Sequence, residues 1–173
     1  GSFGTQTAAV AAGGNQPSPA KNVTEEYNGT SWTTVPATLS IGREDMLGGG
    51  TESAGIIAGG SPPATSSTEE YDGTNWTTGG ALNTARYAAQ GSGTQTSALF
   101  MGGNTGSSTT AIEQYNGTSW NNSSASLATA RDSAASAGSS TSGMVVGGST
   151  PGGITNTSEE FDFSTNIITP GAW

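Results

Sequence analysis

The segment Glu25–Trp32 reads Glu-Glu-Tyr-Asn-Gly-Thr-Ser-Trp, and the chain writes it almost three times. It returns at Glu69–Trp76 and Glu113–Trp120, with a worn copy at Glu159–Asn166. Tyr27, Tyr71 and Tyr115 stand 44 residues apart, and Phe161 follows after a further 46. A period of that length marks one supersecondary unit used repeatedly, because so small a unit cannot bury its apolar face alone.

Composition decides whether such a chain folds. Of its 173 residues 10% are charged and 31% hydrophobic, with Gly, Ser, Thr, Ala and Asn filling much of the rest. Disorder needs high charge as well as low apolar content, so few charges and strict periodicity point to an all-β protein of tight turns. The net charge of −9 with four basic residues argues against nucleic acid and against an electrostatic grip on anionic lipid. No apolar run approaches the roughly 20 residues of a helical membrane span. Cysteine and histidine are absent, which removes disulfides, the usual zinc sites and Cys- or His-based catalysis. No cofactor is expected.

One repeat reads as four short strands in meander order. Small residues follow Arg86, a turn at Thr94–Gln95 leads into the apolar run Ala98–Met101, and Gly102–Gly103 closes it. A polar loop, the strand ending at Tyr115, Asn116–Gly117 and the Trp120 strand complete the unit. Asn28–Gly29, Asp72–Gly73 and Asn116–Gly117 fit two-residue type I′ turns. That turn predicts Tyr27 opposite Thr30 and Glu25 opposite Trp32, with Glu26 on the other face. The runs before each Gly-Gly, such as Ile56–Ala58, do not alternate, so both faces of those strands should be covered.

Gly-Gly after an apolar strand, Tyr and Trp in a hairpin, then Arg opening the next unit together resemble the kelch repeat. The likeness covers Gly13–Gly14, Gly59–Gly60, Gly102–Gly103 and Gly147–Gly148, the aromatic series Tyr27, Tyr71, Tyr115 and Phe161, the tryptophans Trp32, Trp76 and Trp120, and Arg43, Arg86 and Arg131. It implies a β-propeller of four four-stranded antiparallel blades, spanning about 1–38, 39–82, 83–127 and 128–173, the first lacking most of its inner strand. WD-type repeats would need Gly-His and Trp-Asp pairs that are missing, and Asp72–Trp76 lacks the spacing of a sialidase Asp-box. Two readings of the ends stay open: a four-bladed ring closing in the first blade, or part of a longer array. The Tyr-Asn-Gly-Thr-x-Trp wording also resembles kelch-like repeats in structural proteins of marine tailed phages.

Glu25, Glu69, Glu113 and Glu159 share a face with the aromatics, and each step between units supplies one arginine. Buried Glu–Arg pairs wedged between neighbouring units are therefore expected, with exposed edge glutamates as the alternative. Adjacent glutamates along a strand point to opposite faces, so Glu25 and Glu26 do not converge as a glycosidase pair. Departures from the repeat are candidate contacts. Glu44, Asp45 and Met46, with Glu52, could form an acidic cation-binding mouth or plain solvated surface. Tyr87 suits either a sugar ring or packing between units, and Phe163 and Trp173 suit end-capping. Sequons at Asn22, Asn28, Asn75 and Asn116 are read as chance. The functional expectation is a non-enzymatic structural or adhesion module on a virion or cell surface, contacting other virion or surface proteins and a host glycan or receptor. The alternative is a soluble carbohydrate- or protein-binding propeller acting through the polar loops that follow each Gly-Gly.

Overall fold

The computed structural model describes residues 1–15 and 19–164, and the backbone of the strand at 167–171. No helix occurs among the described residues; the chain is all-β. Sheet 1 holds β1 (Ser2–Gly4), β2 (Ala9–Ala12), β3 (Val23–Tyr27) and β4 (Trp32–Thr38). Sheet 2 holds β5 (Leu47–Thr51), β6 (Ala54–Ala58), β7 (Thr68–Tyr71) and β8 (Trp76–Thr78). Sheet 3 holds β9 (Gln90–Thr94), β10 (Ser97–Met101), β11 (Ile112–Tyr115) and β12 (Trp120–Asn122). Sheet 4 begins with β13 (Ala135–Gly138) and β14 (Ser142–Val146). After a small ribbon of β15 (Ser149–Thr150) and β16 (Gly153–Ile154), it resumes with β17 (Ser158–Asp162) and β18 (Ile167–Gly171). Every sheet is an antiparallel meander.

The first strands carry the packing from sheet to sheet: β1 lies against β5, β5 against β9, and β9 against β13. Between sheets sit three separate apolar clusters. Phe3, Val10, Leu39, Ile57 and Tyr71 fill the first, and Ile56, Leu82, Phe100, Tyr115 and Trp120 the second. Leu99, Met101, Leu127, Val145 and Phe161 fill the third. Ile56 and Ile57 are adjacent yet serve different clusters, which is why those runs do not alternate. Leu39, Leu82 and Leu127 each wedge into one seam from the connection that crosses it.

Two expectations are corrected. Tyr27 pairs with Trp32 and Glu25 with Thr34, so the hairpin turn lies one residue later than Asn28–Gly29. The Asn28 carboxamide oxygen accepts the amides of Thr30 and Ser31 at 3.0 Å, and positive φ falls on Gly29 (89°). This Asx geometry moves the turn to Gly29–Thr30, and a register change of two residues leaves the faces unaltered. The same arrangement recurs at Asp72 and Asn116, where Tyr71 meets Trp76 and Tyr115 meets Trp120. Sheet 1 also keeps more of its first strand than expected: Ser2, Phe3 and Gly4 pair with Ala11, Val10 and Ala9.

Candidate functional site

Three arginines and three glutamates lie buried in the seams. Arg43 Nη1 meets Glu69 Oε1 at 2.7 Å, Arg86 Nη2 meets Glu113 Oε1 at 3.2 Å, and Arg131 Nη2 meets Glu159 Oε1 at 2.6 Å. All six side chains are buried. Each carboxylate also accepts backbone amides of the connection that brings its arginine: Ser40 on Glu69, Asn83 on Glu113, Ala128 and Thr129 on Glu159.

The Gly-Gly pairs explain how the arginines arrive. Gly14, Gly60 and Gly103 donate their amides to the carbonyls of Arg43, Arg86 and Arg131 at 2.8, 3.0 and 2.9 Å. Each arginine is therefore anchored by its backbone on one sheet while its side chain reaches a glutamate of the next. The three pairs are not equally well made. Arg131 also donates to the carbonyls of Gly147 and Thr157 and to the Thr157 hydroxyl. Arg86 misses hydrogen-bonding geometry with Glu113 and lies instead 4.8 Å over the Phe100 ring. Burial lowers its pKa, and Glu113 opposes that shift.

Glu25 departs from the series. It is exposed, and none of the three arginines reaches it. Trp32 of the same sheet is 50% exposed, whereas Trp120 is only 4% exposed.

Two of the three seams carry a second set of polar ties that the sequence reading missed. Tyr71 donates its hydroxyl to Glu26 of the preceding sheet at 2.6 Å, and Tyr115 donates to Glu70 at 2.5 Å. Trp76 Nε1 donates to Thr24 Oγ1 and Trp120 Nε1 to Thr68 Oγ1, both at 2.9 Å. A signal was present in the sequence: Gln114 replaces the acceptor glutamate in the third copy, and Phe161 drops the hydroxyl in the fourth.

Burial, then the hydrogen bond to Glu70, pushes the Tyr115 hydroxyl up to about 12 from an ordinary 10.0. Tyr71 is raised by burial and Glu26 in the same way. A folded-state pKa above the unfolded one stabilises the protonated phenol. That stabilisation is complete below pH 10 and is lost as pH rises through about 12. The urea midpoint should therefore fall across this alkaline window. Tyr71→Phe with Tyr115→Phe should flatten the fall at a cost of roughly 1–3 kcal/mol per bond at neutral pH. Unfolding curves at closely spaced pH values check it, and an equally steep fall in the double variant would refute it.

The symmetry-breaking residues do not converge. Glu44 and Tyr87 occupy equivalent places after their arginines, exchanging backbone hydrogen bonds with Ser61 and Asn104 respectively. Asp45 has φ 54°, as Ala88 (50°) and Ser133 (52°) do, and its carbonyl accepts the Ala88 amide. No cluster of three or more metal-ligating side chains occurs among the described residues, so the acidic mouth is not assembled there. The third residue in this series is Asp132, which the sequence reading passed over. It is buried and accepts from Asn104 Nδ2 at 3.0 Å and Ser108 Oγ at 2.8 Å.

An outer cleft of about 360 Å³ opens between sheets 3 and 4, lined by Ser97, Gln114, Tyr115, Asn116, Asn121, Ser140, Thr141 and Phe163. Phe163 is 53% exposed, so it is an edge of this cleft and not a cap. Trp173 lies outside the described residues, and so does part of the loop from Asn15 to Asn22. The cleft opens beside the hairpin turns around Asn116 and Thr141, away from the Gly-Gly loops. Its lining is neutral: amides, hydroxyls and aromatic rings. No family model matches this chain, and no curated protein matches it.

Proposed function

We propose that this chain is a kelch-like β-propeller segment serving as a non-enzymatic structural or adhesion module, exposed on a virion surface as a tail-fibre, decoration or receptor-binding component. One observation carries the reading: all three arginines, and the three glutamates they meet, are committed to joining sheets. Such groups hold a rigid platform together and are not free for acid–base work. The sequential packing of four meander sheets through their first strands supports the propeller. The likeness of Tyr-Asn-Gly-Thr-x-Trp to repeats of marine tailed-phage structural proteins supports the setting. The test is stoichiometry in the native assembly. The chain should be recovered from purified particles in a fixed ratio to their major protein and be labelled by antibody on intact particles. Recovery only as free protein would refute the virion assignment.

The outer cleft favours a second reading, the binding of a neutral glycan. Phe163 offers an exposed ring for a sugar face, and Gln114 and Asn121 offer paired donors and acceptors beside it. Glycan-array binding that falls about tenfold in Phe163→Ala would support this role, with or without a virion setting.

A further inference from the structure

Each sheet repeats one frame just past the end of its second strand. The amides of Gly13, Gly59, Gly102 and Gly147 donate to the carbonyls of Val23, Ser67, Ala111 and Thr157, each at 2.9 Å. Two residues after each of those carbonyls stands a glutamate: Glu25, Glu69, Glu113 or Glu159. In sheets 2, 3 and 4 the guanidinium of Arg43, Arg86 or Arg131 meets that carboxylate. Arg131 shows the full set of acceptors, donating to Glu159 and to the Gly147 and Thr157 carbonyls. Three acceptors converging on one planar cation select a forked guanidinium over an ammonium.

Sheet 1 has the same frame with its mouth open. A cleft of about 430 Å³ is lined by Gly13, Lys21, Val23 and Glu25. Glu25 is exposed, and neither Lys21 nor any arginine pairs with it among the described residues. The residue opposite Glu25 is Ala11, where Ile57, Phe100 and Val145 stand opposite the other three glutamates. Because Arg86 lies 4.8 Å over the Phe100 ring, alanine at the equivalent place leaves more room for an incoming cation.

The segments that bring the internal arginines share a second feature. Leu39, Leu82 and Leu127 stand four residues ahead of them and pack in the same clusters as Tyr71, Tyr115 and Phe161 of the receiving sheets. The amide after each leucine donates to the glutamate that its arginine meets. Sheet 1 presents a matching aromatic surface. Tyr27 and Trp32 stand 5.2 Å apart, against 4.8 and 5.0 Å in the other two Tyr–Trp pairs, and Trp32 is 50% exposed. We propose that this face binds a partner protein through an arginine that enters the Glu25 cleft. The arginine is carried on a Leu-x-x-x-Arg segment whose leucine covers Tyr27 and Trp32. Charge complementarity and three filled copies of the same cleft within this chain define the occupant's chemistry. The inference rests on those copies and holds with or without a virion setting.

Titrating the isotope-labelled chain with a blocked hexapeptide, Ala-Leu-Asn-Thr-Ala-Arg, tests it through backbone amide shifts; the peptide copies residues 81–86. The amides of Gly13, Val23 and Glu25 should move. Replacing the peptide's arginine by neutral citrulline, or its leucine by alanine, should each weaken binding about tenfold. Glu25→Gln, at an exposed position, should weaken the arginine peptide about tenfold and leave the citrulline peptide almost unchanged. Four results would overturn the proposal. They are cleft amides that stay in place, equal binding of the arginine and citrulline peptides, equal losses for both peptides in Glu25→Gln, or a chain that sediments as a dimer and reverts to monomer in Glu25→Gln. The last would give this face to a second copy.

Discussion

Arg131→Met is expected to destabilise the fold by about 3–5 kcal/mol, because it leaves Glu159 buried without its cation. Arg131 donates to five acceptors: Glu159 Oε1, the Gly147 and Thr157 carbonyls, the Thr157 hydroxyl, and the Thr129 carbonyl at 3.4 Å. Methionine retains the volume and meets none of them. The Arg86–Glu113 pair should behave differently once both partners are neutral. Arg86 makes no well-formed hydrogen bond, and Glu113 Oε2 is held by Asn83 through its backbone amide at 2.7 Å and its side chain at 2.8 Å. Arg86→Met combined with Glu113→Gln keeps an acceptor for Asn83 and removes two desolvated charges. Its net effect should be neutral to stabilising, in keeping with replaced buried pairs elsewhere. Equilibrium urea unfolding of the three proteins checks this, and a double variant as weak as Arg131→Met would sink it.

Gly102→Ala should cost about 3 kcal/mol, and Gly147→Ala clearly less. Both glycines have left-handed backbone, φ 64° and 67°, which a Cβ penalises by roughly 1–2 kcal/mol. At Gly102 the new methyl would also stand 2.5 Å from the Arg131 carbonyl and 3.2 Å from Leu127 Cδ1. That crowding adds roughly 1–3 kcal/mol, because the arginine carbonyl is pinned by the Gly103 amide. At Gly147 the nearest atom is the Thr155 carbonyl at 3.4 Å, so the backbone term stands almost alone. Equal losses at the two positions would show that the close approach to the arginine segment is not what demands glycine.

Buried Glu–Arg pairs between neighbouring units were legible because each repeat supplies both residues and a buried carboxylate needs a cation, whereas which glutamate each arginine meets, 26 to 28 residues later, was not. The four-strand unit was legible from apolar runs punctuated by glycine and by Asn-Gly. Register was not, since the favoured turn for Asn-Gly assumes that asparagine enters the left-handed region. Here the side chains of Asn28, Asp72 and Asn116 instead cap the turn from outside it. The Tyr71–Glu26 and Tyr115–Glu70 ties could not be derived from one repeat, because they depend on how far one sheet is offset from the next. The joint change to Gln114 and Phe161 was the one trace of them in the chain. Asp132 was hidden for another reason: its partners Asn104 and Ser108 sit in a loop that reads as polar filler.

Three disconnected cores imply that no side chain has to agree with more than its immediate neighbours. Nearest-neighbour coupling of this sort makes stability grow nearly linearly with the number of units and lets unfolding fray inward from the termini. Duplication or deletion of a whole 44-residue module would then alter length while touching only the seams at its own two edges.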